Sequence, residues 1–249
     1  RPARRRGPVG RGGVRPTPPL APTDGWRDVE IVPVDEPLVP VADIGPRVHD
    51  EPRYHADGLP GALERGWVRQ GVAERLARVA AALPDGLGLV VWDGYRPIAT
   101  QAALYGAYLD ELTMVHPDWP ADALEQAAAR YVTPPSRSVV APPPHLTGGA
   151  VDLTLADRDG RAIPLGTDFD AFVPEAATRG LEDVPGRERD LRRVLFWAMH
   201  DQGFTSYHEE WWHFDHGDQF WGLVTGRPAV YAAAEPPPDP ASPGGDGRR

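Results

Sequence analysis

The chain has 249 residues, 41% of them hydrophobic, with eight tryptophans. That suffices for one substantial packed domain or at most two small ones, and it excludes a chain disordered throughout. A formal net charge of -10 argues against broad binding to nucleic acid or anionic membrane surfaces. The absence of cysteine rules out disulfides and thiolate ligands, and no apolar run is long enough to span a bilayer.

All 26 basic residues are arginine, a usage we read as codon bias of a GC-rich genome. Every fixed positive charge is therefore a guanidinium, a group suited to bidentate carboxylate recognition. Residues 1–24 are rich in Arg, Gly and Pro without apolar periodicity, and the reading is a flexible arm. GVAERLARVAAAL (71–83) is amphipathic at helical spacing and ends at Pro84-Asp85-Gly86. LGLVVWDGY (87–95) is an apolar run bounded by glycines, which predicts a buried strand. Pro97 suits the first turn of a helix running through ATQAALYGAYLDELTMV, and ADALEQAAARYV (121–132) predicts another. A proline-rich loop then leads to His145. AVDLTL (150–155) reads as a strand, DRDG (157–160) as a turn and GRERDLRRVLFWAMHDQG (186–203) as an amphipathic helix closed by glycine. FTSYHEEWWHFDH (204–216) has the aromatic content of a strand, and 235–249 reads as a disordered tail. The economical fold is α+β: a small, mainly antiparallel sheet with helices packed around it, in one domain over 25–234.

His145, Asp152 and His213 are the candidate metal ligands. Two imidazoles and a carboxylate fit a hard-to-borderline divalent ion held by three protein ligands with a fourth position open. Zinc, one per chain and seated at the sheet, is the expectation on ligand type, although cobalt, nickel or manganese could substitute. An open position holds a water whose pKa the metal lowers from about 15.7 to roughly 7, and Glu210 is the expected base for its attack on a carbonyl. The chain therefore reads as a metal-dependent hydrolase. Thr147-Gly148-Gly149 between the first two ligands permits a sharp path from loop into strand. Asp152 interrupts an apolar strand, where a buried carboxylate needs a partner. In a regular strand Glu210 and His213 would face opposite sides, so Glu210 is placed at the strand's beginning and His213 within it. Glu209 is the rival base. Asp215 and His216 lead into Gly217 and read as loop, and His49, His55, His116 and His200 read as structural. Arg96, in WDGYRP at the end of the predicted strand, could donate two hydrogen bonds to a developing oxyanion, or could simply pair with an acidic neighbour.

WDGYRP, HLTGGAVDLTL, PLGTDFD and EWWHF, in this order, resemble the zinc D-alanyl-D-alanine dipeptidases of the vancomycin-resistance type, which act on bacterial cell-wall peptides. The resemblance covers about residues 54–216. It implies zinc on His145, Asp152 and His213, Glu210 as base and Arg96 steadying the oxyanion. It also implies Asp170 as partner of the substrate ammonium, with Tyr54 near the pocket. One departure is Pro143, where the family usually carries a serine that touches the substrate; proline offers neither hydroxyl nor backbone donor. The resemblance implies hydrolysis of D-Ala-D-Ala or a near relative, with a small peptide as partner. The alternatives are a carboxypeptidase or endopeptidase on longer muropeptides, and a zinc-stabilised binding domain without turnover. We expect a cytoplasmic location, with a secreted or cell-envelope one after removal of an upstream signal as the alternative.

Overall fold

A computed structural model describes residues 14–237. Its strands are β1 (Leu38–Pro40), β2 (Val48–Asp50), β3 (Trp67–Arg69), β4 (Gly88–Asp93), β5 (Ala150–Ala156), β6 (Thr205–Ser206) and β7 (His213–Asp215). The helices are α1 (Arg53–Ala56), α2 (Gln70–Ala82), α3 (Ile98–Val115), α4 (Ala121–Tyr131), α5 (Arg187–His200) and α6 (Gln219–Thr225). The main sheet has the order β2-β4-β5-β7-β6, parallel between β2 and β4 and antiparallel elsewhere; β1 and β3 form a separate antiparallel pair. The α+β expectation holds.

Local sequence accounts for the long elements. In α2, Val72, Leu76 and Val79 fall on one face at helical spacing and are buried, while Glu74 and Arg78 point to water. All seven residues of β5 are buried because it lies inside the sheet with neighbours on both edges. Its apolar side chains join those of β4, α2 and α5 in the core. Thr154, buried within the same strand, satisfies its hydroxyl by donating to the Ile163 carbonyl at 3.2 Å. Pro97 caps α3, one position earlier than the first helical turn.

Three readings change. The segment 204–216 is not one strand: β6 and β7 pair antiparallel, and residues 207–212 form the turn between them. Asp215 is not loop but the last residue of β7, and the backbone N–H of His216 donates to the Gly149 carbonyl at 3.0 Å. Of the expected arm, residues 1–13 lie outside the described residues, as do 238–249 of the expected tail. Residues 14–24 lie against the domain. The Trp197 indole N–H donates to the Arg15 carbonyl at 3.0 Å, the Arg15 guanidinium stacks 3.4 Å from that ring's centroid, and the Thr17 N–H donates to Glu182 Oε1 at 3.2 Å. Among the described residues no helix is long and apolar enough to cross a membrane.

Candidate metal centre

Sheet register brings the three expected ligands together. On β5, Asp152 is the cross-strand partner of His213 on β7 and of Asp93 at the end of β4. His145 arrives from the other direction, in a 3₁₀ turn over Pro144–Thr147. Gly148 closes that turn at φ +71, a conformation only glycine adopts without strain, and so the chain can enter β5 directly. The result is three buried donors in one place. His145 Nε2 is 3.3 Å from His213 Nδ1 and 3.3 Å from Asp152 Oδ2, and His213 Nδ1 is 2.9 Å from Asp152 Oδ1. Ligands at zinc distances of about 2.0–2.1 Å in a tetrahedral array sit roughly 3.3 Å apart, so the spacing fits such an ion.

The outer ring nitrogens decide which lone pairs face inward. His145 Nδ1 lies 2.8 Å from the Gly94 carbonyl, an acceptor that fixes the proton on Nδ1 and turns Nε2 toward the centre. Gly94 is required there, since a Cβ would run into the Trp67 carbonyl oxygen. His213 Nε2 lies 2.9 Å from Asp215 Oδ1, which places its proton outward and leaves Nδ1 facing His145. Two imidazole lone pairs and a carboxylate thus converge with no donor between them, an arrangement a cation satisfies. Burial works to raise the Asp152 pKa, whereas His145 and His213, when protonated, hold it below the usual carboxylate range. Asp215 was legible in principle. It lies two residues from His213, and on a strand residues two apart share a face.

Glu210 precedes β7 rather than beginning it, and His213 opens the strand. The segment carrying Glu210 is clamped from outside the sheet. The Thr178 hydroxyl donates to the Tyr207 and Glu210 carbonyls, and the Trp211 N–H donates to the Ala176 carbonyl at 2.9 Å. This holds Glu210 Oε2 3.9 Å from His213 Nδ1. Burial raises the Glu210 pKa well above its ordinary value, with the His213 charge opposing and Asp152 and Asp170 adding to the rise. Glu209 is instead taken by Arg130, at 2.7 Å. Trp211 and Trp212 are buried and meet edge to face, with Trp92 edge-on to Trp211 and Phe169 edge-on to Trp212.

Arg96 adjoins the same donors. Its Nε donates to Asp93 at 2.7 Å and its Nη1 to Gln101 at 3.0 Å. Its Nη2 donates to Asp152 at 3.2 Å and to the Tyr54 hydroxyl at 3.3 Å. Four of the five guanidinium N–H groups therefore have protein acceptors, so the sequence expectation of two bonds for a substrate oxygen shrinks to one. The Tyr54 hydroxyl in turn donates to Asp170 Oδ2 at 2.9 Å. Asp170 sits at φ +58, the one described non-glycine residue with positive φ. Burial, followed by the charge of Asp152, pushes its pKa up to about 7 against the lowering effects of Arg96 and Tyr54. All seven expected site residues line a single cleft of about 660 Å³.

Comparison with known proteins places the chain in a family. Residues 35–231, well over half of the chain, match the peptidase family described as D-ala-D-ala dipeptidase. The chain is 33% identical to the D-alanyl-D-alanine dipeptidase of Enterococcus faecium over 166 residues, covering 65% of this chain and 75% of that one. It is 29% identical to the enzyme of the same name from Synechocystis sp. over 175 residues, 62% of this chain and 70% of the relative. For the Escherichia coli enzyme of that name the identity is 29% over 184 residues, 72% of this chain and 83% of the relative.

Proposed function

The chain belongs to the D-Ala-D-Ala dipeptidase family of peptidases, and we propose on that premise that it is a zinc-dependent hydrolase of the peptide bond of D-Ala-D-Ala or a closely related dipeptide. One observation carries the reading: two imidazole lone pairs and a carboxylate converge inside a cleft, with the buried Glu210 carboxyl 3.9 Å from His213 beside them. His145, Asp152 and His213 would hold the metal, which when bound polarises a peptide carbonyl and makes water acidic enough to attack it near neutral pH.

The remaining work falls to this chain's own groups. Glu210, raised in pKa by burial, takes the proton from the attacking water and is basic enough to hold it until it passes to the leaving amine. Arg96 offers its remaining N–H to the carbonyl oxygen as charge develops there. Asp170 receives the substrate's ammonium group, and Tyr54 orients it through the hydrogen bond to Oδ2. An ammonium in contact with Asp170 favours the ionised carboxylate, which offsets the burial that raises its pKa.

The cleft's volume favours a second reading, action on longer muropeptides, because 660 Å³ lies well inside the range of about 300–1,000 Å³ that holds drug-sized ligands. Asp170 discriminates between the two. A peptide acylated at its N-terminus brings no cation to it and leaves a partly buried carboxyl facing an amide. Metal-loaded enzyme should hydrolyse free D-Ala-D-Ala and leave an N-acylated tripeptide ending in D-Ala-D-Ala intact, as read by release of D-alanine. Cleavage of the acylated peptide alone would replace the dipeptidase assignment with a carboxypeptidase.

A separate expectation concerns Asp215. Asp215→Asn keeps the shape of the side chain but removes the charged acceptor from His213 Nε2, so zinc affinity should fall by about ten- to a hundredfold in a chelator competition. An unchanged affinity would show that His213 is oriented by its packing alone.

A further inference from the structure

The family match begins at residue 35, yet one wall of the cleft is built by residues before it: Thr23, Asp24, Gly25, Trp26 and Arg27. This wall is pinned rather than draped. Trp26 is buried, its ring 4.9 Å from Phe220 on α6, and Phe220 in turn lies 6.5 Å from the His213 ring. Gln219, also buried, donates through Nε2 to the Val29 carbonyl at 2.7 Å and to the Val140 carbonyl at 3.0 Å. One side chain therefore ties the N-terminal segment and the loop before His145 to α6. Beyond it, the Ala229 N–H donates to the Glu30 carbonyl and the Val32 N–H to the Ala229 carbonyl, both at 2.8 Å.

Arg27 is the consequential residue of this wall. A free dipeptide is a zwitterion, and a cleft that offers Asp170 to its ammonium needs a cation for its carboxylate. Three arginines line the cleft. Arg96 is committed to Asp93, Asp152, Gln101 and Tyr54, and Arg130 to Glu209. The Arg27 guanidinium lies 4.4 Å over the Trp26 ring, and among the described residues its side chain makes no hydrogen bond or ion pair. Stacking engages the face of a guanidinium and leaves the N–H groups along its edge for a carboxylate. Pro143 and Pro144, which line the same cleft, have no backbone N–H to offer. The polarity also suits a peptide. Asp170 reaches the metal donors through Tyr54 and Arg96 on the Asp152 side, and Arg27 through Trp26 and Phe220 on the His213 side.

We propose that Arg27 is a specificity-determining residue that binds the free C-terminal carboxylate of the peptide substrate, making residues 23–27 part of the substrate site. This rests on the dipeptidase reading. The test compares free D-Ala-D-Ala with its C-terminal amide on wild type, Arg27→Ala and Arg27→Lys. Wild type should prefer the acid by about ten- to a hundredfold in kcat/KM, the worth of a hydrogen-bonded charge pair. Arg27→Ala should erase that preference through a higher KM for the acid alone, and Arg27→Lys should restore part of it. An equal acid-to-amide ratio in wild type and Arg27→Ala overturns the proposal. The same ratio is read as Kd by calorimetry on zinc-loaded Glu210→Gln protein, where turnover is not needed. A wild type that hydrolyses neither ligand defeats the dipeptidase reading, and the Kd ratio still decides for or against Arg27.

Discussion

Replacing Glu210 with glutamine should leave zinc bound at one per chain and lower hydrolysis of the dipeptide by roughly a hundredfold to ten-thousandfold, the range over which a positioned proton acceptor acts. The substitution keeps size and hydrogen-bonding capacity, so the clamp from Thr178 to the Tyr207 and Glu210 carbonyls and the packing of Trp211 and Trp212 persist. What is lost is a group able to accept a proton beside His213. The geometry makes this residue hard to replace. Glu209, its neighbour in the chain, is held in an ion pair with Arg130, and reaching the metal donors would require breaking that pair and rearranging a turn held by Thr178 and Ala176. The prediction is read by elemental analysis together with steady-state kinetics. Unchanged turnover with zinc retained would take the base role away from Glu210, whereas loss of zinc would make Glu210 part of what holds the metal.

Replacing His145 with alanine should abolish metal binding and, with it, all hydrolysis above background. His145 is one of the three proposed ligands, and its Nδ1–H to the Gly94 carbonyl fixes the turn that delivers the chain to β5. Without that imidazole, His213 and Asp152 remain as a two-point site. The thermal signature separates lost metal from a lost fold. At zinc concentrations about a hundred times Kd, the wild type gains about 2.7 kcal/mol, which for a domain of this size raises Tm by roughly 5–10 °C. The variant should fold, with a Tm that does not respond to zinc. A variant that retains one zinc and the same Tm response would place the metal elsewhere and remove the basis of the hydrolase assignment.

The long amphipathic helices were legible because helical spacing within one segment reports its own buried face: Val72, Leu76 and Val79 identify α2 without reference to any other part of the chain. The cluster of His145, Asp152 and His213 was legible for a different reason. A carboxylate in an apolar strand, and a histidine flanked by tryptophans and phenylalanine, are costly to bury unless something compensates them, and sequence alone exposes that cost. By contrast, 204–216 reads as one strand from its composition, and only pairing shows a hairpin whose turn carries Glu210. No local pattern encodes the Thr178 contacts that hold this turn, since they come from 29 and 32 residues away.

The sequence by itself determined the chemistry available to this protein: which donors exist, that they are nitrogen and oxygen rather than sulfur, and where the long helices and the buried strands β4 and β5 lie. The tertiary structure alone decided how that chemistry is arranged. It set Asp152 opposite His213, assigned Asp215 to the outer nitrogen of His213, committed most of Arg96 to its neighbours and brought Trp26 and Arg27 to the cleft. The physical reason is range. Secondary-structure patterning follows from interactions between residues a few positions apart. A metal centre and the walls of a cleft depend on cross-strand register and on long-range contacts, such as that between Gln219 and the Val29 carbonyl, which spans 190 residues.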